Sequence, residues 1–206
     1  MSVRTRKYAL LVAVIGLVAP LLGACSGNIV EAPYYETTNV AGFRSYAAPS
    51  NIMVMEVHDG QTGIDDARWA SLLSNHGFAP QLAFITPKKA KADMASASAD
   101  SNARKDHPTL RPDQRMVVVV NPTQDTWRNA MCQNPQNTPL TPGEKTIPVR
   151  FAFCSGDSVI SEIRANITNP ITPQQIDEMA PTLIHYLFPI SQPDHNENRC
   201  SRFAPC

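Results

Sequence analysis

Two short polar clusters follow the two most apolar runs of the chain, and they hold the side chains best suited to acid–base work. His58 and Asp59 come after Ile52 to Val57; Asn121 and Asp125 come after Met116 to Val120. An imidazole beside a carboxylate can take and return a proton, and the other two supply polar neighbours. The arrangement works on one condition: the two runs must be parallel neighbours in a sheet, so that all four residues gather at one edge. Loops after strands are also polar simply because they meet water, and that is the competing reading. Cys154-Ser155-Gly156-Asp157 has the form of a nucleophile in a tight turn. A reactive thiolate there would need a nearby base and protection from oxidation; a disulfide is the alternative. No Gly-x-Ser-x-Gly elbow and no phosphate-cradling glycine loop is present.

The remaining histidines offer less. His76 and His185 fall on helical patterns, and His107 sits in a polar run. Asp194-His195-Asn196-Glu197 presents metal-like ligands, but on a polar tail. The chain has no Cys-x-x-Cys pair and no two histidines at ligand spacing, so a zinc site is disfavoured and no cofactor is implied.

The elements that would position these residues read as follows. Ile52 to Val57 is a strand closed by His58-Asp59-Gly60. Thr62 and Asp65 stand three apart before a helical pattern with Trp69, Leu72, Leu73 and His76 on one face, ended by Gly77. Gln81 to Thr86 is a second strand. Met116 to Val120 is apolar throughout, the pattern of a central strand buried on both faces. A short helix surrounds Trp127. Ile147, Val149, Phe151 and Phe153 alternate with Pro148, Arg150, Ala152 and Cys154, the period of a half-buried strand, and Val159 to Ile167 returns as its hairpin partner. Thr172, Pro173 and Gln175 begin a last helix with a capping box and an N1 proline. Ile176, Met179, Leu183, Ile184 and Leu187 form its apolar stripe, and Pro181 predicts a kink or two short helices.

This order predicts an α+β fold: a mixed sheet of about five strands with two or three helices packed on it. The first six elements match a split β-α-β, ferredoxin-like arrangement, which by itself carries no function. The expected organisation is a signal segment over 1–24, a tether over 25–50, a globular domain over 51–190 and a Cys-containing polar tail over 191–206. Within the domain, 88–114 reads as a disordered insertion with at most a frayed alanine-rich turn. The tether holds Tyr34, Tyr35, Phe43 and Tyr46, more aromatics than a spacer needs. They either pack over the domain or dock a partner.

Arg4, Arg6 and Lys7 precede an uncharged stretch from Tyr8 to Leu22, followed by Gly23, Ala24 and Cys25. A basic region, a short apolar region and small residues form a secretory signal, too short for a comfortable transmembrane span. Leu22-Gly23-Ala24-Cys25 resembles the lipobox of bacterial lipoproteins. The resemblance covers only the first 25 residues or so. It implies cleavage before Cys25, a diacylglycerol on its sulfur and an acylated amine. Ser26, rather than an aspartate, at the next position implies the outer membrane, facing the periplasm. Several acyl chains anchor firmly where one binds marginally.

Removing 24 of 206 residues leaves 182, with 15 Lys and Arg against 18 Asp and Glu. That balance gives no reason to expect nucleic acid as a partner. With Cys25 acylated, Cys132, Cys154, Cys200 and Cys206 remain, an even set in an oxidising compartment. Of three connectivities, spacing favours Cys132 with Cys154 and Cys200 with Cys206. The sequence therefore supports an anchored, non-enzymatic envelope lipoprotein that binds an envelope protein or glycan. The alternative is an anchored hydrolase or transferase using His58 and Asp59.

Overall fold

A computed structural model describes residues 28–59, 61–99, 108–123, 126–141 and 143–191. Its architecture is α+β: among the described residues, an open mixed sheet of seven strands with five helices. In chain order these are β1 (Ile29–Val30), β2 (Tyr34–Tyr35), α1 (Val40–Ala47), β3 (Ile52–His58), α2 (Asp66–Leu73), β4 (Ala83–Ile85), α3 (Pro87–Ala99), β5 (Gln114–Val120), α4 (Ala130–Gln133), β6 (Thr146–Ser155), β7 (Ser158–Thr168) and α5 (Pro173–Leu187). The sheet runs β1-β7-β6-β5-β3-β4, with β2 also paired to β7. β3, β4 and β5 are parallel; β6, β7 and the N-terminal pieces pair antiparallel to their neighbours.

β5 is central and Met116 to Val120 are fully buried, as its composition predicts. The ferredoxin-like expectation fails at β3 and β4. A split β-α-β unit would insert another strand between them, whereas here they are direct neighbours. β6 is buried on both faces from Val149 to Cys154 rather than on one.

The tether expectation is overturned for residues 28–50. β1 and β2 extend the sheet along the free edge of β7. Asn28 Oδ1 accepts from the Thr168 amide at 3.0 Å, and Tyr35 Oη donates to the Tyr186 carbonyl at 2.7 Å. α1 starts at Asn39, whose side chain accepts from the Gly42 amide. Arg44 is buried beneath it and donates from Nη2 to the carbonyls of Phe78 (3.0 Å) and Pro80. Residues 25–27 lie outside the described part.

The insertion expectation is also overturned where the chain is described. α3 is a helix of 13 residues that buries Ala90 and contacts β3. Its Lys and Ala residues have high intrinsic helix propensity. The Thr86 hydroxyl accepts from the Lys89 amide at 3.3 Å, with Pro87 opening the first turn.

One face of the sheet carries the main core: Met53, Met55, Met116, Val118, Phe151, Phe153 and Ile163 against Trp69 and Leu73 of α2 and Ile176, Leu183 and Leu187 of α5. Each such side chain contributes roughly 1.5–3 kcal/mol by leaving water. The helix ends follow local rules. Asp65, not Thr62, caps α2 through the Arg68 amide at 2.8 Å. Thr172 and Gln175 form the reciprocal capping box of α5, which continues unbroken through Pro181. No helix among the described residues is long and apolar enough to cross a membrane.

Candidate functional site

β3 and β5 are parallel neighbours with His58 opposite Val119, so His58, Asp59 and Asn121 do reach one sheet edge. Asp125 lies outside the described residues. Two of the three are engaged in holding that edge together. The Asp59 carboxylate accepts from the Thr62 amide at 3.1 Å, from the Thr62 hydroxyl, and from the Trp69 indole at 3.3 Å. It closes the turn into α2 and fixes the buried Trp69. Asn121 takes a left-handed conformation, φ 51°, which asparagine tolerates. Its Nδ2 donates to the carbonyls of Thr138 and Pro139 at 3.2 and 3.1 Å. Its own carbonyl accepts from the Thr138 amide and hydroxyl. Asn137 Nδ2 reaches the His58 carbonyl at 3.4 Å. These bonds strap the segment before β6 across the strand ends.

The carboxylate that meets His58 is therefore Glu56, not Asp59. Nε2 of His58 donates to Glu56 Oε1 at 2.7 Å, and Arg115 Nε donates to Glu56 Oε2 at 2.9 Å. The hydrogen bond from His58 does most to hold the Glu56 carboxyl down at about 2. Burial works against it, and Arg115 adds to it. Arg115 also donates to the carbonyls of Cys132 (2.7 Å) and Gly156 (3.3 Å).

Glu56, His58 and Arg115 belong to the sheet face opposite the main core. A small apolar patch follows, of Val117, Val119, Ala152, Val159 and Met131 around the Cys132–Cys154 disulfide, whose Cα atoms are 5.7 Å apart. Beyond the patch lies a second ionic group. Glu162, with a side chain 1% exposed, accepts from Nε of Arg150 at 2.8 Å, of Arg164 at 2.9 Å and of Arg128 at 3.1 Å. Burial pushes the Glu162 carboxyl upward, but the bonds and charges of Arg150 and Arg164 hold it below the usual carboxylate range. The Arg128 guanidinium also lies over the Tyr34 ring, 3.3 Å from its centroid.

A β-bulge creates this second group. The β6–β7 turn pairs Ser155 with Ser158 and Cys154 with Val159; the register then shifts by one, so that Ala152 faces Glu162 and Arg150 faces Arg164. Without the shift, Glu162 would pair with Phe151 and point into the apolar core.

Two neighbouring openings, which share Thr123 and Thr126, lie beside the Arg150 end of this face. One, about 220 Å³, is lined by Thr123, Trp127, Gln133, Asn134 and Gln136, with Trp127 60% exposed. Another, about 340 Å³, is lined by Arg150, Arg164, Thr123 and Thr126 among others. On the opposite side of the sheet, a broad opening of about 630 Å³ lies between α2 and α5.

No family model and no curated protein matches the chain. The solved structures similar to the chain include two of PelC. A PelC dodecamer from Paraburkholderia phytofirmans has a TM-score of 0.37 and 13% identity, covering 79% of this chain and 99% of that one. A point-substituted PelC dodecamer from the same organism, in another crystal form, has a TM-score of 0.33 and 12% identity, covering 79% and 97%. Likenesses this distant carry no argument about function.

Of the other residues singled out in the sequence, Cys154 is bonded to Cys132, which removes it as a nucleophile, and Gly156 supplies the positive φ of the β6–β7 turn. His185 stacks on Phe78 with ring centroids 4.2 Å apart, and His76 Nε2 lies 3.1 Å from the Leu72 carbonyl. His107, residues 194–197, Cys25, Cys200 and Cys206 lie outside the described residues. The sequence reading does not single out Glu56, Arg115, Arg128, Glu162 or Arg164. For Glu56, Arg115, Glu162 and Arg164 the signal is charge inside strands that are otherwise rich in apolar side chains; Arg128 lies in the turn before α4 and carries no such signal.

Proposed function

We propose that the chain is an anchored lipoprotein of the bacterial cell envelope, held at the outer membrane through lipid on Cys25, and that its domain binds another envelope component rather than catalysing a reaction. The observation that carries the binding role is the disposition of the acid–base candidates. Asp59 and Asn121 are bonded into the fold, while the sheet face bearing Glu56, Arg115, Arg150 and Glu162 ends beside the exposed Trp127. Exposed tryptophan and arginine are the side chains that most often anchor interfaces.

The anchor and the fold fit each other. Asn28 is already bonded to β7, so only Ser26 and Gly27 separate it from Cys25, a span of at most roughly 10 Å. A lipid on Cys25 would hold the β1 edge against the bilayer instead of letting the domain range tens of ångströms away.

A second reading, an anchored hydrolase or transferase, keeps one favourable observation: the imidazole of His58 is oriented by the Glu56 carboxylate at 2.7 Å. One set of variants separates the two. A clickable fatty acid should label the wild type and not Cys25→Ala. His58→Ala should leave the envelope phenotype intact at unchanged abundance, and Trp127→Ala should impair it. Loss of the phenotype in His58→Ala, with Trp127→Ala normal, would replace the binding role with the enzyme. Absence of label on the wild type would remove the anchor.

A further inference from the structure

Arg150 is the most deeply placed cation of the charged face, its side chain only 7% exposed. A guanidinium carries five N–H donors. Nε donates to Glu162 Oε1 at 2.8 Å, and Nη1 donates to the Thr126 carbonyl. Nη2 is buried and, among the described residues, has no hydrogen-bond partner. Buried polar groups in native proteins are almost always satisfied, and an exception points to a strained site, a water or an ion.

Charge points the same way. Arg128, Arg150 and Arg164 surround the single carboxylate of Glu162. Glu31 lines the neighbouring cavity of about 340 Å³ and accepts from Asn166 Nδ2 at 3.1 Å. Among the described residues, three guanidiniums against these two carboxylates leave one positive charge over. Arg164 is half exposed, and among the described residues its Nη atoms meet no hydrogen-bond partner. Thr123 and Thr126 share one hydroxyl hydrogen bond at 2.6 Å; the hydroxyl that accepts it keeps its own proton, which has no acceptor among the described residues.

We propose that this cavity, between the β1–β7–β6 edge and the segment after β5, is an oxyanion site that takes a phosphate group, with Arg164 and Arg150 as its cationic wall and the Thr123–Thr126 hydroxyl pair as its neutral donor. Guanidinium matches a phosphate oxyanion in shape and charge. Glu31 is the opposing charge that tunes the site and disfavours weakly held anions. The phosphate is either free or the headgroup of a phospholipid. Glu31 is six residues from Cys25, a span of at most roughly 20 Å, so the headgroup source rests on the anchored reading given above.

The test titrates the full chain in non-ionic detergent by calorimetry, with inorganic phosphate and, separately, with dihexanoyl phosphatidic acid. Binding of either should saturate. Arg164→Gln should weaken it about tenfold or more. Glu31→Gln should tighten it several-fold, an effect that damage to the fold would not produce. Arg68→Gln, at the opening between α2 and α5, should leave it unchanged. Phosphate binding that the lipid does not displace assigns free phosphate, and Arg164-dependent binding of the lipid alone assigns the headgroup. Binding of neither probe, or binding indifferent to both Arg164→Gln and Glu31→Gln, overturns the site. None of these titrations depends on acylation of Cys25, which the fatty-acid label decides separately.

Discussion

On one side of the sheet, Met116, Phe151 and Ile163 meet α2 and α5, and the contact is held by removing apolar surface from water. On the other side, the same strands present Arg115, Arg150 and Glu162, covered only in part by the four-residue α4. The first face tolerates exchange among apolar residues of similar volume. The second does not, because each buried charge relies on a particular partner. Stability alone gives no reason for the second face, since apolar residues of the same size hold a fold as well as a buried Arg–Glu network does, or better. That is why the binding role proposed above is placed on the face that retains ions.

The largest effect that would sharpen this contrast is expected from Glu162→Gln. Removing the carboxylate leaves Arg150 buried without a counter-charge, and denaturant unfolding should show a loss of about 3–5 kcal/mol. A loss as small as that of an exposed salt bridge, below about 1 kcal/mol, would mean that the ionic group is not a structural unit. Next is the disulfide. Replacing both Cys132 and Cys154 by serine opens a closure of 22 residues and should cost roughly 3 kcal/mol, measured as a lower unfolding midpoint under non-reducing conditions.

Acid should act on the charged face. Glu56 is held at about 2 against an ordinary value of 4.5, and Glu162 is lowered in the same direction. A depressed carboxyl contributes stability that is fully present above the ordinary value and is lost as pH falls through the folded value. The window for Glu56 is therefore between about 4.5 and 2. Stability should fall by about 1–2 kcal/mol across it, and Glu56→Gln should flatten that slope. An unchanged slope in Glu56→Gln would break the assignment. The smallest effect belongs to the helix face: Thr172→Ala removes half of the capping box of α5 and should cost about 1 kcal/mol, with no dependence on pH between 5 and 8.

The sequence announces the features that are locally strong. Met116 to Val120 reads as a buried central strand, Thr172-Pro173 with Gln175 reads as a helix start, and Cys132 with Cys154 reads as a pair; all three are present. It is silent where structure is borrowed from the rest of the fold. β1 and β2 are two residues each and exist only because β7 offers an open edge. α3 has no apolar stripe, so its period is invisible, although the Thr86-Pro87 start is there to be seen. The charged face is hidden for a different reason. Counting back from the Ser155–Ser158 turn without the bulge places Glu162 on the apolar side. One extra residue in β7 decides which face carries the ions, and no periodicity reveals it.

The most direct test of the binding face is photocrosslinking in intact cells from one position on each side of the sheet. A photoreactive residue in place of Trp127, beside the ionic group, is compared with one in place of the exposed Gln174 on α5. The account predicts a reproducible adduct from position 127, reduced by Arg164→Gln, and none from position 174. An adduct from 174 with none from 127 would contradict it.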